Sequence, residues 1–301
     1  MTTIRHRILI LGHGEMGQAI AHLLRGQQVD IWEKFPQGNF KSVVLEDAAR
    51  HADIVIFCLP VNPHREIVEQ ITPYLRKSCV CVSIAKGLDE AGHTAAQIFA
   101  KNLPLHQVYA LLYGPMISEE IRADRYAFAQ LGSNDAGADH KLRTCFHGSH
   151  LYIEQTSDIT GISWSVILKN VYALLFGMAD ELKLGDNMRG FLVVAALREL
   201  NQIVCEMGGQ ANSSYHLAGL GDLITTATSN DSHHHELGRK LARGETQGIE
   251  GEGIHTLKMV NRHRLFTIAD YPLFKLTDDI IQQPQEIKKR FGEYLKQAYL
   301  Y

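Results

Sequence analysis

Short apolar runs alternate with helical patterns along the first half of the chain. The runs that predict strands lie next to glycine, proline or polar residues and cover 7–11, 28–32, 52–59, 78–85, 109–113 and 147–155. Segment 52–59 is nearly continuous in apolar residues, as in a strand that is buried on both faces of a sheet. Strands that alternate with helices predict an α/β architecture, a doubly wound parallel sheet that binds ligands at the carboxyl ends of its strands.

A helix is predicted over the first two-thirds of the stretch 161–189, where apolar residues recur every three or four positions and form one face. Lys169 and Asn170 interrupt this apolar run. A lysine there either extends along apolar surface to reach water or is held in a partly buried polar pocket. The pattern alone leaves both possibilities open.

The change from alternating to helical patterning predicts two domains, an α/β domain over 1–156 and an all-α domain over 157–301. Within the second domain, residues 219–223 predict a tight glycine turn that presents an aspartate. Residues 225–235 are rich in Ser, Thr, Asn and His and predict a polar loop, and 248–253 predicts a second glycine loop.

The composition is that of an ordinary globular protein, with 45% hydrophobic residues, 21% charged residues and a net charge of −3 over 301 residues. This balance argues against a nucleic-acid-binding surface or a polybasic membrane anchor. No apolar run approaches the ~18 residues that a membrane span requires, so we expect none. Five cysteines in apolar surroundings predict reduced, buried thiols and a cytoplasmic protein.

A glycine motif follows the first predicted strand and precedes a helical pattern. Gly12, Gly14 and Gly17 form G-x-G-x-x-G, which in this context predicts a dinucleotide site. Glu33 ends the next strand, where an acidic residue binds the ribose hydroxyls and repels a 2′-phosphate. NAD is therefore the expected cofactor, while the neighbouring Lys34 keeps NADP possible.

Several short motifs together resemble the NAD(P)-dependent glycerol-3-phosphate dehydrogenase family over most of the chain. They stand in the family's order and roughly its spacing: Gly12–Gly17, Ala85-Lys86-Gly87, Gly114-Pro115 with Glu120, Leu168-Lys169-Asn170-Val171 and Gly219–Leu223. The resemblance implies a Rossmann domain followed by a helical substrate domain, and hydride transfer between NAD(P)H and dihydroxyacetone phosphate to give sn-glycerol 3-phosphate. It also implies a small-molecule substrate and a homodimer.

The resemblance further implies roles for individual residues. Lys169 is expected to be the general acid–base residue, and Lys86 and Asp222 complete the expected catalytic set. The implied substrate contacts are Lys86, Gly114, Met116, Asn170, Asp222, Thr226, Ser232, His233 and His234. The implied cofactor contacts are Gly12, Gly14, Glu15, Met16, Gly17, Glu33, Lys34, Pro60, Lys86, Ser118, His233, Glu250 and Glu252.

The chain departs from the family pattern at three places, one of which is the segment 33–46, which is shorter than in the family. Where the family has Ser-Arg-Asn, this chain has Ser232, His233 and His234, and a neutral imidazole is a poorer phosphate ligand than a guanidinium. The serine that precedes Gly-Pro in the family is Tyr113 here. The consecutive histidines predict no metal site, because their side chains point in different directions.

Two other functions compete with this interpretation. One is a reductase of another small 2-oxo acid, similar to ketopantoate reductase, which also uses a lysine and an asparagine of a helical domain. The other is a dinucleotide-binding protein without catalytic activity. The presence of Lys86, Lys169 and Asp222 argues against lost catalysis, whereas the altered residues 232–234 favour a changed substrate.

Overall fold

A computed structural model describes residues 5–133, 135–229, 232–245 and 247–299. The chain forms two compact units. The first runs to Asp89 and resumes from His93 to Ile159, and the second holds Glu90–Gly92 and the chain from Thr160 onward. Each unit has its own architecture, α/β in the first and helical in the second.

The first unit is built on a seven-stranded sheet in the order β2-β1-β3-β4-β5-β6-β7. Its strands are β1 Arg7–Leu11, β2 Gln28–Trp32, β3 Ile54–Phe57, β4 Val80–Ser83, β5 Val108–Tyr113, β6 Ala127–Ser133 and β7 Leu151–Thr156. The first five are parallel to one another, which confirms the doubly wound Rossmann architecture. However, β6 runs antiparallel to β5, and β7 runs parallel to β6, so the sheet is mixed.

Strand β6 was missed by the pattern of apolar residues. Its sequence AFAQLGS contains two alanines and a glycine, which have low strand propensity. Pairing with β5 and β7 on both sides stabilises this strand, and such long-range pairing leaves no local signal.

Helices cover both faces of the sheet, which explains the apolar strands. They are α1 Glu15–Leu23, α2 Leu45–His51, α3 His64–Ile71, α4 Ala95–Asn102, α5 Ser118–Arg122 and α6 Ala136–Phe146. Successive residues of β1 belong to different hydrophobic clusters, Ile8 and Ile10 to one and Leu9 and Leu11 to the other. A two-residue period with both faces buried is what a central parallel strand requires.

The second unit consists of helices, the first of which begins at Ile159, the last residue of the first unit. Its helices are α7 Ile159–Glu181, α8 Asp186–Glu206, α9 Asp222–Thr228, α10 His233–Ala242, α11 Glu252–His263, α12 Pro272–Gln282 and α13 Ile287–Ala298. Helix α7 is the core helix of this unit. Among the described helices, only α7 is long and apolar enough to cross a membrane, and 89% of its most apolar window is buried inside the protein.

Glycines allow α7 and α10 to pack with their backbones in contact. A Cβ atom on Gly177 would lie 1.9 Å from the His235 carbonyl oxygen, and one on Gly238 would lie 2.1 Å from the Leu174 carbonyl oxygen. Because any side chain at either position would overlap backbone atoms, the glycines fix the distance between these helices.

The five cysteines are all free thiols. Cys79, Cys81 and Cys145 are buried as expected, but Cys58 is only partly buried and Cys205 is exposed. The prediction of uniformly buried thiols was therefore wrong, because Cys205 lies near the end of α8 on its exposed side.

Candidate active site

The glycine motif of the first unit joins β1 to α1. A Cβ on Gly12 would lie 2.6 Å from the Cys58 carbonyl oxygen, and one on Gly17 would lie 2.0 Å from the Gly12 carbonyl oxygen. A Cβ on Gly14 would meet nothing within 4 Å. The first and third glycines are thus required by packing, whereas the second leaves open space beside the N-terminus of α1, where a phosphate can approach backbone N–H groups.

Two residues between these glycines were expected to contact the cofactor. Glu15 is exposed at the first position of α1 and forms an ion pair with Arg122. Met16 is partly buried and packs against the hydrophobic cluster on one face of the sheet. Met16 therefore anchors the start of α1, and Glu15 remains at the surface.

Glu33 follows β2 and turns back to the glycine motif. Its Oε2 accepts a hydrogen bond from the His13 backbone N–H at 2.8 Å, and Oε1 accepts one from the Phe35 N–H at 3.3 Å. The adjacent Lys34 points to Glu66, with Nζ 3.0 Å from Oε1. The carboxylate is thus held beside the dinucleotide motif, while the Lys34 charge is matched by Glu66.

Residues expected at the ligand-binding edge follow three neighbouring parallel strands. Pro60 follows β3, Lys86 follows β4 and Gly114 follows β5. The Lys86 ammonium donates a hydrogen bond to the Gly114 carbonyl at 3.1 Å. A Cβ on Gly114 would lie 2.5 Å from the Phe128 carbonyl oxygen, so only glycine fits beside β6. The carboxyl ends of β4 and β5 are therefore tied together at the predicted edge.

The two expected residues after Gly114-Pro115 are both buried. Met116 belongs to the hydrophobic cluster that contains Ile8, and it is 5% exposed. Ser118 is the first residue of α5, and its hydroxyl donates to the Glu119 carboxylate at 2.8 Å. In this structure Met116 therefore acts as a core residue and Ser118 as part of the start of a helix.

A buried histidine beneath this edge was not predicted from the sequence. His64 begins α3, and its Nδ1–H donates to the Pro60 carbonyl at 3.0 Å. Its Nε2 lies 2.9 Å from the Ser83 hydroxyl, which must be the donor because a neutral imidazole carries one proton. Burial lowers the pKa of His64 from 6.5 to about 4, so the side chain is neutral at pH 7. A lone histidine after proline carries no sequence signal for such a role.

In the second unit, Lys169 lies in the middle of α7 and is held in a buried polar pocket. Its Nζ donates to the Thr226 hydroxyl at 2.5 Å and forms an ion pair with Asp222 Oδ2 at 3.1 Å. The Lys169 and Asp222 side chains are only 5% and 4% exposed. Of the two alternatives left open by the sequence, the structure selects the pocket, and the lysine does not extend to water.

Asp222 and Thr226 reach Lys169 together because they lie four residues apart on one face of α9. The predicted tight turn over 219–223 was wrong, since Leu217–Gly221 forms a π-helical turn that leads directly into α9. Gly219 is nevertheless required, because its Cβ would lie 2.1 Å from the Ser214 carbonyl oxygen.

Asn170 is next to Lys169 and only 1% exposed. The start of α11 packs directly on its backbone, since a Cβ on Gly253 would lie 2.5 Å from the Asn170 carbonyl oxygen. Glu252, the first residue of α11, is next to Gly253 and thus lies one residue from this contact. The second glycine loop thus reaches the same turn of α7 that carries Lys169.

Ser232, His233 and His234 form the start of α10. Ser232 caps the helix by accepting the His235 N–H at 3.3 Å. Exposed His233 donates from Nε2 to the Glu250 carbonyl at 3.1 Å, and His234 Nε2 accepts the Gly253 N–H at 3.4 Å. The two imidazoles thus hold the second glycine loop, and Glu250 takes part through its backbone.

The predicted polar loop over 225–235 was therefore wrong for most of its length. Helix α9 continues to Thr228 and α10 begins at His233. Residues 230 and 231 of the predicted loop lie outside the described residues. Polar residues with low helix propensity form helix here because Ser232 is a good N-cap and the glycine contacts with α7 hold α10 in place.

A further histidine of α10 was missed by the sequence analysis. His235 Nε2 lies 2.7 Å from Asp180 Oδ2, and Arg189 contacts the same carboxylate oxygen at 2.7 Å. His235 is 7% exposed, and Asp180 belongs to α7. This polar contact fixes the first turn of α10 against the helix that carries Lys169.

Comparisons with known proteins agree on one family. Residues 33–139 match the model of the NAD-dependent glycerol-3-phosphate dehydrogenase N-terminus, and 158–291 match that of its C-terminus. The glycerol-3-phosphate dehydrogenase [NAD(P)+] of Thermosynechococcus vestitus is 32% identical over 289 residues, which cover 91% of each chain.

Solved structures show the same relationship at the level of the fold. Glycerol-3-phosphate dehydrogenase from Coxiella burnetii aligns over 97% of this chain and 99% of its own, with a TM-score of 0.84 and 24% identity. A PanE/ApbA family ketopantoate reductase from Ralstonia eutropha aligns less well, with a TM-score of 0.55 and 16% identity. The fold is thus more similar to the first of these proteins.

Proposed function

The chain belongs to the NAD-dependent glycerol-3-phosphate dehydrogenase family, and from this we propose that it interconverts dihydroxyacetone phosphate and sn-glycerol 3-phosphate with NAD(P). It is an oxidoreductase that acts on a CH–OH group. The buried Lys169–Asp222 pair carries this proposal, because a charged lysine in the core of an enzyme of this family requires a reason beyond packing.

The first unit fits a dinucleotide. Gly14 leaves open space beside the N-terminus of α1, and the Glu33 carboxylate lies next to the same loop. Backbone N–H groups of the glycine motif would hold the pyrophosphate, and Glu33 would bind the adenosine ribose. When bound, the nicotinamide supplies or accepts the hydride.

Lys169 transfers a proton to or from the substrate oxygen. In reduction, hydride addition to the ketone carbon creates a negative charge on its oxygen, and the Lys169 ammonium donates a proton there. The Asp222 carboxylate stabilises the charged form of Lys169. Thr226 accepts a hydrogen bond from a second N–H of the same ammonium group and so fixes the orientation of that group. In the opposite direction, neutral Lys169 takes the proton from the hydroxyl group.

We assign the substrate phosphate to the start of α10. The backbone N–H groups of a helix N-terminus attract anions, and this helix begins with His233 and His234. His234 Nε2 accepts the Gly253 N–H, whereas His233 Nε2 donates to the Glu250 carbonyl. His233 is the exposed imidazole of the two and is therefore the one that we assign to the phosphate.

Cofactor preference follows from the residues after β2. We propose that NAD is preferred to NADP, because Glu33 would face the 2′ position and Lys34 is paired with Glu66. A 2′-phosphate would meet a carboxylate and would have to compete for the lysine. The remaining expected cofactor contacts, Pro60, Lys86, Ser118, Glu250 and Glu252, stay predictions.

We further propose that the protein works in the cytoplasm as a homodimer. Five free thiols agree with a reducing compartment, and the dimer rests on the family resemblance alone. Light scattering coupled to size-exclusion chromatography gives the mass in solution. A mass of one chain, 33.7 kDa, would contradict the dimer.

The function is tested by following NADH oxidation at 340 nm with dihydroxyacetone phosphate, ketopantoate and pyruvate as alternative substrates. We expect the phosphorylated ketone to give the highest kcat/KM and Lys169→Met to abolish most of the activity. A preference for a 2-oxo acid would establish the alternative reductase. NADH binding without turnover of any of the three would indicate a protein that binds the dinucleotide without catalysis.

A further inference from the structure

Tyr113, which replaces the serine of the family pattern, reaches the backbone beside Lys86. Its hydroxyl donates to the Ala85 carbonyl at 2.9 Å, and its side chain is buried. We propose that Tyr113 is a positioning residue that fixes Lys86 at the end of β4 for its contact with substrate. The proposal rests on the proposed function, from which the role of Lys86 comes.

The contact belongs to a double tie between neighbouring strands. Ser83 of β4 pairs in register with Leu111 of β5, so Ala85 and Tyr113 lie two residues further along the same pair. In the opposite direction, the Lys86 ammonium donates to the Gly114 carbonyl at 3.1 Å. A side chain of β5 thus holds the backbone of the β4 end, and a side chain of the β4 end holds the backbone that follows β5.

The other side of Ala85 is also fixed. Its N–H donates to the Ser83 hydroxyl oxygen at 3.1 Å. The Ser83 proton points to His64 Nε2 at 2.9 Å, and His64 Nδ1–H donates to the Pro60 carbonyl. The Pro60 carbonyl can only accept, so it requires the His64 proton on Nδ1. His64 Nε2 must then accept the Ser83 proton, and the Ser83 oxygen is left to accept the Ala85 N–H.

Together these contacts hold both polar groups of residue 85. Ser83 accepts from the N–H of Ala85, and Tyr113 donates to its carbonyl. Lys86 is the next residue, so the direction in which its Cα–Cβ bond leaves the strand depends on this peptide. Serine at position 113 would have its hydroxyl next to its own backbone, whereas the tyrosine ring carries the hydroxyl to the adjacent strand.

A double-mutant cycle tests the role of Tyr113. Tyr113→Phe removes the hydroxyl and keeps the ring. We expect kcat/KM for dihydroxyacetone phosphate to fall about tenfold, because one lost hydrogen bond to the Ala85 carbonyl leaves Lys86 less well positioned. In a Lys86→Met background, the same substitution should lower kcat/KM less than about twofold, because no ammonium remains to be positioned.

Tyr109→Phe is the matched control. Tyr109 lies on the same strand four residues earlier and therefore on the same face, and it packs against Phe99. We expect its substitution to leave kcat/KM within about twofold of the original protein. An equal loss for Tyr113→Phe with and without Lys86 would overturn the proposal, since it would show a structural effect that is independent of the lysine.

A crystal structure of the Tyr113→Phe variant provides a second readout that requires no activity. We expect the Ala85–Lys86 peptide to shift and the contact between Lys86 Nζ and the Gly114 carbonyl to be lost. Unchanged positions of both would refute the positioning role. If the original protein does not reduce dihydroxyacetone phosphate, the proposed function fails, and the crystal structure still decides whether Tyr113 positions Lys86.

Discussion

Replacing Lys169 by methionine should affect both stability and catalysis, and the structure separates the two effects. The substitution keeps an unbranched apolar chain in the core of α7 but removes the ammonium that pairs with Asp222 at 3.1 Å. Asp222 is 4% exposed, so its carboxylate would remain buried without its charge partner. Breaking a buried ion pair in this way costs about 3–5 kcal/mol of the free energy of unfolding.

A second substitution removes this penalty without restoring chemistry. In Lys169→Met/Asp222→Leu, both charges are replaced by apolar side chains of similar length, and such replacements are often neutral or stabilising. We expect the double variant to recover the free energy of unfolding to within about 1 kcal/mol of the original protein. Loss of the general acid should lower kcat by roughly 10²–10⁴ in both variants.

Urea unfolding at pH 7 and NADH oxidation with dihydroxyacetone phosphate measure the two effects on the same samples. NADH binding by fluorescence is the control for an intact first unit, and we expect it to change little. An unimpaired kcat in folded Lys169→Met would remove the proposed proton transfer. A double variant as unstable as Lys169→Met would show that the buried carboxylate is not the source of the instability.

Three other predictions follow from single residues. NADH should bind more tightly than NADPH in fluorescence titrations. Glu33→Gln should reduce the difference in Kd between the two cofactors, because it removes the charge that repels a 2′-phosphate. Equal Kd values for the original protein would contradict this prediction. For His64, whose pKa burial lowers from 6.5 to about 4, the unfolded chain takes up a proton first as the pH falls. Neutral His64 therefore contributes about 3 kcal/mol to the free energy of unfolding above pH 6.5, and this contribution is lost between pH 6.5 and about 4. Urea unfolding of His64→Gln should lack this part of the pH dependence. His233→Arg should lower the KM for dihydroxyacetone phosphate at pH 8, since a guanidinium is charged and can bind a phosphate through two hydrogen bonds; an unchanged KM would place the phosphate elsewhere.

The elements that the sequence predicted correctly are those with local causes. The first five strands are short apolar runs that end at glycine, proline or a charged residue, and α7 shows the expected helical period. The dinucleotide motif was also evident, because Gly12 and Gly17 are required by contacts between residues close in the chain or on adjacent strands. Such constraints leave a signal in the identity and spacing of the residues.

The errors arose where distant contacts outweigh local preference. Strand β6 exists because β5 and β7 pair with it on both sides, although its alanines and glycine are poor strand formers. Residues 225–228 and 233–235 belong to two helices, and α10 packs against α7 at Gly177 and Gly238. Local composition predicted a loop for both of these helical segments, but tertiary packing stabilises them as helices.

The sequence by itself determined the family, the Rossmann architecture of the first unit and the identity of the lysine that carries the proposed chemistry. Whether that lysine reaches water or is buried was undecided, because residues 169 and 222 are far apart in the chain and only the fold brings them together. The tertiary structure also decided that Ser83, His64 and Tyr113 hold the backbone beside Lys86. Hydrogen bonds between distant residues depend on exact placement in space, and a single sequence contains no record of that placement.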